Sequence, residues 1–351
     1  MNRRDLLTAA ALAGALPAWA QPVGSMTLPE MDLHDPFIVT DTASKTYWLF
    51  TKNNPAVSGK QALGVMAYRS RDLKHWTKPE LVFRLPSGTW ANDGCWAPEV
   101  HHWRDRWYLF VTVHNESLPL AEPSPVPGQR TYRRSTVLAV ATQLGGPFAL
   151  LRDGDPVVSK ELMALDGTLY VDPAGKPWMV FAHEWLQLRV GAFAAVPLDD
   201  ELRAIGPHRE LFRGDASPAA RPQQGQGIIV TDGPQLYRTA DGSLHMLWSS
   251  WGDDGYFQTL SRSRSGDLFG PWEHLPVWLG KGSGHGMLFR TLDDTRMLVV
   301  HRPFKNARGK LYDVREHADG FELLRQRVDL DLDAHPLAAR QEGRGRQSTP
   351  D

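Results

Sequence analysis

Between Met31 and Val328 the chain is almost free of helical periodicity. Short runs of Val, Leu, Phe, Tyr and Trp alternate with polar residues and break at Gly, Pro, Asp and Asn. That is the period of half-buried strands. The runs group into a recurring module. Each module opens on a polar or acidic lead-in, enters a first strand, turns, and continues into a second strand rich in aromatics. A third strand and usually a fourth follow. The modules open with HDPFIVTDTASKTYWLFTKN, WAPEVHHWRDRWYLFVTVHN, LDGTLYVDPAGKPWMVFAHEW, TDGPQLYRTADGSLHMLWSSW and GHGMLFRTLDDTRMLVVHRPF. With Asp35, Glu99, Asp166, Asp232 and His285 as phase markers, the spacings are 64, 67, 66 and 53 residues.

Short strands at such a period, with a hairpin in each unit, predict an all-β fold, a five-bladed β-propeller over residues 31–328. A blade cannot bury its faces alone and must stack on its neighbours. A parallel β-helix is the competing repeat fold, but its coils are shorter than units holding two hairpins. In a propeller the first strand of each blade lines the central channel. The five lead-ins, remote in sequence, then converge on one small volume.

A buried, unpaired carboxylate costs several kcal/mol or shifts its pKa until it neutralises. Carboxylates gathered in a funnel therefore need a purpose or a cation. Two carboxyl groups on either side of a bond can cleave a glycoside, one giving a proton to the leaving oxygen and one activating water. A third nearby keeps the acid protonated by like-charge repulsion. The bland alternative is turn capping, since Asp-Pro and Asp-Gly are common turn dipeptides. The recurrence of HDP, LDG and TDG at one phase of three modules weighs against it.

HDPFIV at 34–39, WAPEV at 96–100, LDGTLYVDPAGKPWMVF at 165–181, TDGPQLY at 231–237 and GHGMLFR at 284–290 together resemble glycoside hydrolase family 43, the five-bladed arabinofuranosidase and xylosidase group. The resemblance covers nearly the whole chain after its N-terminal segment. It implies an inverting mechanism with three acidic residues: Asp35 matches the general base, Asp166 the pKa-modulating aspartate, and Asp232 the general acid. The acid is usually a Glu in an EGP motif, and here TDGP stands in its place. Aspartate is shorter by one C–C bond, about 1.5 Å, and proton transfer needs heavy atoms about 3 Å apart. Glu184 in HEW and Glu99 in WAPEV are the other candidates for the acid. Both could equally bind substrate hydroxyls. The resemblance also implies a structural calcium near His285. Calcium prefers oxygen ligands, so His285 without the resemblance reads as a hydrogen-bonded polar residue.

Trp stacks on sugar rings, and the chain has 13 Trp. Trp96 precedes the second lead-in and is the expected platform, with core packing as its alternative. Trp185 follows the second strand of the third module. His301 and Arg302, in HRPF, could bind a substrate hydroxyl, and Arg302 could instead pair with a channel carboxylate. The 114–134 loop, long and Pro-rich, could wall the funnel and narrow it to a terminal sugar.

A formal net charge of -1 gives no basic excess for nucleic acid. No zinc spacing, nucleophile elbow or dinucleotide fingerprint occurs, so no organic cofactor is expected. Residues 1–20 read as an export signal: basic MNRRD, apolar LLTAAALAGAL, then PAWA. Arg3 and Arg4 suit the twin-arginine route, with Sec as the alternative. The apolar run is too short to span a membrane. One cysteine, Cys95, excludes an intramolecular disulfide. Residues 337–351 read as a disordered polar tail. The expectation is a periplasmic or secreted monomer acting on carbohydrate: an exo-acting inverting glycoside hydrolase releasing arabinofuranose or xylose. A catalytically inactive sugar-binding propeller and a retaining fructan-type hydrolase remain the alternatives.

Overall fold

The structure, a computed structural model, describes residues 25–223 and 227–337. The export signal at 1–20 and the tail beyond Leu337 lie outside the described residues. The strands form four-stranded antiparallel meanders, each built from one contiguous stretch. Blade one is β1 (Phe37–Asp41), β2 (Thr46–Lys52), β3 (Gly64–Ser70) and β4 (Glu80–Arg84). Blade two is β5 (Asp93–Trp103), β6 (Arg106–Pro119), β7 (Tyr132–Ala141) and β8 (Ala149–Leu150). Blade three is β9 (Ala164–Val171), β10 (Pro177–His183), β11 (Ala192–Pro197) and β12 (Arg209–Arg213). Blade four is β13 (Asp232–Arg238), β14 (Leu244–Gly252), β15 (Gly255–Ser263) and β16 (Glu273–His274). Blade five is β17 (Gly284–Arg290), β18 (Arg296–Arg302), β19 (Arg308–His317) and β20 (Gly320–Gln326). A single parallel bridge, Ser135 to Ala164, links blades two and three. The five-bladed all-β architecture expected from the repeats is the one observed.

Alternation along each strand sends apolar side chains to both faces, and those faces meet between blades. Phe110 and Leu138 pack on Phe181 between blades two and three. Phe193 packs on Trp248 between blades three and four. Leu247 and Leu260 meet Leu298 and Tyr312 between four and five. The largest cluster joins Leu49 and Phe50 of blade one to Val111 of blade two and to Phe289 and Val299 of blade five. Burying a Phe or Leu contributes about 1.5–3 kcal/mol, so these layers hold the ring together. Blade one is not completed by a strand from the other terminus. Instead, residues 26–33 join it to blade five. Met26 pairs with Trp76, Leu28, Met31 and Leu33 are fully buried, and the Leu33 N–H donates to the Ala307 carbonyl. At the other end Asp331 accepts the Leu311 N–H. Ordered packing thus extends on either side of residues 31–328. Among the described residues no helix is long and apolar enough to cross a membrane.

Tyrosine hydroxyls clip neighbouring blades. The Tyr237 hydroxyl accepts the Leu288 N–H at 2.7 Å and donates to the Leu288 carbonyl at 3.1 Å. Tyr47 accepts the Leu292 N–H across the seam between blades one and five. Tyr237→Phe strands both backbone groups of Leu288. It should lower stability by about 1–3 kcal/mol, read by denaturant unfolding.

Candidate active site

Near the start of each innermost strand one residue at the same phase of the repeat lies in the left-handed region. These are Asp35 (φ 49°), Ala97 (42°), Asp166 (51°), Gly233 (57°) and His285 (46°). Four are not glycine, and such backbone costs of order 1–3 kcal/mol per residue. In blades two to five the ladder to the second strand slips at this point. The turn swings the preceding backbone into the funnel and starts the strand afresh. These five residues are the structural phase of the repeat. The sequence markers agree with it at Asp35, Asp166 and His285. Asp232 stands one residue ahead, and Glu99 two behind.

The offset in blade four has a steric cause. A Cβ on Gly233 would lie 2.9–3.1 Å from the His285 ring, so the ring lies directly over that backbone. Only glycine fits there. The carboxylate of blade four therefore comes from the residue before it. His285 is itself held by blade four: its N–H donates to Ser249 Oγ at 2.8 Å, and the Gly286 N–H donates to Gln258 Oε1 at 2.7 Å.

His285 Nδ1 lies 3.2 Å from Asp35 Oδ1 and 3.8 Å from Asp232 Oδ1. Asp166 Oδ2 accepts the Gly233 N–H at 3.1 Å, and Asp166 hydrogen-bonds Asp232. Tyr256 donates to Asp232 Oδ2 at 2.6 Å. The environment drives the two carboxyls apart. Burial works against ionisation of Asp35, but the facing charge of His285 and the nearby His301 and His34 rings outweigh it. Asp35 is held well below the usual carboxylate range. Burial raises Asp232, and the charge and hydrogen bond of Asp166 raise it further against the pull of His285, to well above that range. Burial lowers His285, but Asp35, Asp166, Asp232 and Glu99 reverse the sign and push it up to about 9. The surroundings thus favour the ionised form of Asp35 and the protonated form of Asp232, with the His285 ring facing both. An ionised base and a protonated acid are the pair that general acid–base cleavage requires.

Asp35 and Trp96 share the wall of a cavity of about 500 Å³ with Thr51, Lys52 and Asn53. Trp96 is partly exposed there. Positive φ at Gly94, Cys95 and Ala97 and two register shifts around it turn it out of the sheet. Its ring is backed by His114, 4.4 Å between centroids, and by the Arg134 guanidinium at 4.8 Å.

The other expected residues sit differently. Glu99 is 2% exposed and lies one layer below the funnel, bonded to His101 at 2.9 Å and to Gln235. It is not open to substrate. His301 is 1% exposed and stacks on Tyr256, and its Nδ1 accepts the Asp35 N–H at 3.3 Å. It supports Asp35 from behind. Arg302 points the other way, because neighbours on a strand face opposite sides. It donates to Tyr312, Gln326, Asp333 and the His335 carbonyl, which ties the C-terminal segment to blade five. Glu184 pairs with Arg134 at 2.5 Å, and burial pushes it up to about 7. Its side chain is 2% exposed, against 26% for Asp232, so a substrate oxygen can reach only Asp232. Trp185 is half-buried in the wall of a second cavity. The 120–131 loop lines that cavity too.

Tyr256, His34 and Arg134 were missed from the sequence. Tyr256 was the most accessible of them, since it opens β15 opposite Trp251 across the GDDG turn.

Asp166, Asp232 and His285 bring ligand atoms within 4.8 Å of one another. Calcium takes six to eight oxygens. This set offers two carboxylates and one ring nitrogen, and that nitrogen already faces Asp35 and Asp232 within an imidazolium. The donor set does not fit calcium bound directly through His285.

The profile of Glycosyl hydrolases family 43 matches residues 27–318. The extracellular endo-alpha-(1->5)-L-arabinanase 1 of Bacillus subtilis (strain 168) is 24% identical over 254 residues, 68% of this chain and 67% of that protein. The crystal structure of an endo-arabinase from Bacteroides thetaiotaomicron VPI-5482 superposes with a TM-score of 0.74 at 30% identity, covering 84% of this chain and 99% of that one. An endo-1,4-beta-xylanase from the same organism shares the fold at 19% identity and a TM-score of 0.63, covering 86% of this chain and 96% of that one. With the funnel of carboxyls and the five blades, these similarities place the chain in glycosyl hydrolase family 43, and it is a glycoside hydrolase.

Proposed function

We propose that this chain is an exported, endo-acting hydrolase of α-1,5-linked L-arabinan that works with inversion. The observation that carries the chemistry is the placing of Asp35 and Asp232 on one His285 nitrogen, in surroundings that lower the pKa of the first and raise that of the second. Asp35, ionised, takes a proton from the attacking water. Asp232, protonated, gives its proton to the departing sugar oxygen. Asp166 keeps that proton on Asp232 by its charge and its hydrogen bond. Trp96 offers its face to a sugar ring beside Asp35. His285 balances the charge of the funnel and orients both carboxyls. Its contacts cap their Oδ1 separation at about 7 Å, a ceiling that admits the inverting and the retaining spacing alike, so the anomer of the first product decides between them.

Endo action replaces the exo release expected from the sequence. Two relatives carry endo-arabinanase or endo-arabinase names, and the loop expected to wall the funnel lines a second cavity beside it. Export rests on the 1–20 segment and on the extracellular relative.

On linear arabinan, viscosity should collapse while few reducing ends have appeared, and the products should be oligosaccharides. Arabinose released from the first minutes with viscosity preserved would restore exo action. Proton NMR of the first product should show the inverted anomer. Retention would give Asp35 the role of nucleophile.

Asp35→Asn should cost about 10³-fold in kcat on every substrate. Asp232→Ala should cost a similar factor on arabinan but far less on a dinitrophenyl arabinofuranoside, whose leaving group departs without a proton. If Glu184→Ala shows that leaving-group dependence and Asp232→Ala does not, Glu184 is the acid.

Activity needs Asp232 protonated, so it falls as pH rises through the pKa of Asp232. Asp166→Asn removes the neighbouring charge and lowers that pKa. The alkaline limb of the kcat/KM profile should move to lower pH. A limb left in place would remove Asp166 from the modulating role.

A further inference from the structure

The second cavity, of about 390 Å³, is unused by the chemistry above. Its size is in the range of small-ligand sites. It lies on the seam between blades two and three. The 120–131 loop contributes Gly128, Gln129 and Arg130, β7 contributes Tyr132 and Arg134, and the turn after β10 contributes Trp185.

The seam is built rather than loose. Ser124 Oγ donates to the Leu186 carbonyl at 2.5 Å. Arg189 donates to the Pro125 carbonyl. Tyr132, Met163 and Leu186 form a small apolar core beneath, with Leu120 and Trp185 packed on it.

Arg134, on the wall of this cavity, has its Nε buried without a partner. It is paired with Glu184 behind it, and its side chain is 9% exposed. Buried polar groups nearly always find partners, so a donor left open on the cavity wall marks a place for a hydroxyl-bearing ligand. The cavity is also next to the catalytic one. Arg134 stacks on Trp96, and Trp96 lines the cavity that holds Asp35. The two cavities share a wall one stacked pair thick.

We infer that this second cavity is a subsite for a neutral sugar residue of the same glycan, away from the bond that is cleaved. Trp185 supplies a flat apolar face. Gln129 and Arg130 supply hydrogen bonds for the hydroxyl edge. Charge argues for a neutral sugar over a uronate: Glu184 neutralises Arg134, and Glu116 lines the cavity along with Arg130. A sugar held here extends the bound chain past Trp96, which an endo-acting enzyme uses and a terminal-residue enzyme does not. The inference rests on the glycan-hydrolase reading above.

The test is kcat/KM along a ladder from arabinobiose to arabinohexaose, with the dinitrophenyl arabinofuranoside as the shortest substrate. In the wild type kcat/KM should climb with length and then level off. Trp185→Ala and Arg130→Ala should flatten that climb by about tenfold, through KM, relative to their effect on the dinitrophenyl glycoside. Arg130 is exposed, so its variant keeps the test open if Trp185→Ala does not fold. Equal losses on the shortest and longest substrates, or a climb as steep as the wild type's, would overturn the subsite. A wild type that cleaves no arabinose oligomer would sink the arabinan reading alone. The same length dependence on the oligosaccharide it does cleave would then decide the subsite.

Discussion

The funnel depends on a single charge arrangement, an imidazolium held between carboxyls. Asp35, Asp166 and Asp232 meet at the channel mouth because the ring of blades brings their strands together. Three anions so placed, with little water between them, would repel strongly. Two protons resolve this. One sits on His285, raised to about 9 by the carboxylates around it. The other stays on Asp232, where the charge of Asp166 keeps it. Of the proposed acid and base, the one left ionised is Asp35, facing the imidazolium at 3.2 Å. The division of labour between the proposed base and acid is thus a consequence of electrostatics, and it fails if any one of the four groups is moved.

The backbone that delivers these groups is the same in every blade. A left-handed residue turns the chain at the funnel, and the strand then descends into the channel. The residue two positions further on faces the layer beneath: Phe37, Glu99, Thr168, Gln235 and Met287. There Glu99 and Gln235 join across the channel, so a second polar layer underlies the first. The left-handed turns carry strain that the inter-blade cores offset. Four of the five keep a Cβ despite the preference for glycine. At Asp35, Asp166 and His285 the side chain belongs to the charge network.

Much of this was legible in the sequence, for a physical reason. Strand alternation and turn residues are local, and five repeats of one unit leave few folds open. HDP, LDG and GHG stood at the true phase because the turn that places them is local too. What escaped depended on distance or on direction. Arg134 backs Trp96 from another strand, and Tyr256 reaches Asp232 from 24 positions away. No spacing rule joins such pairs. Glu99 was misplaced because WAPE looks like an acidic lead-in, whereas the backbone turns at Ala97. Arg302 was a different error. It neighbours His301 on one strand, so both could not face the funnel, and alternation alone could have excluded one of them.

The aspartate in TDGP then has an explanation in geometry. A carboxyl at the phase of Asp35 and Asp166 is impossible in blade four, since the His285 ring occupies the space above Gly233. Asp232 therefore enters from the residue before, on the backbone just ahead of the left-handed turn at Gly233. From there it touches Tyr256, Asp166 and His285 at once. Its side chain is still open enough to meet a substrate oxygen. A glutamate would carry its carboxyl about 1.5 Å further, past the partners that hold and charge it unless it folded back. The short side chain fits this funnel because its partners, Tyr256, Asp166 and His285, already lie within its reach.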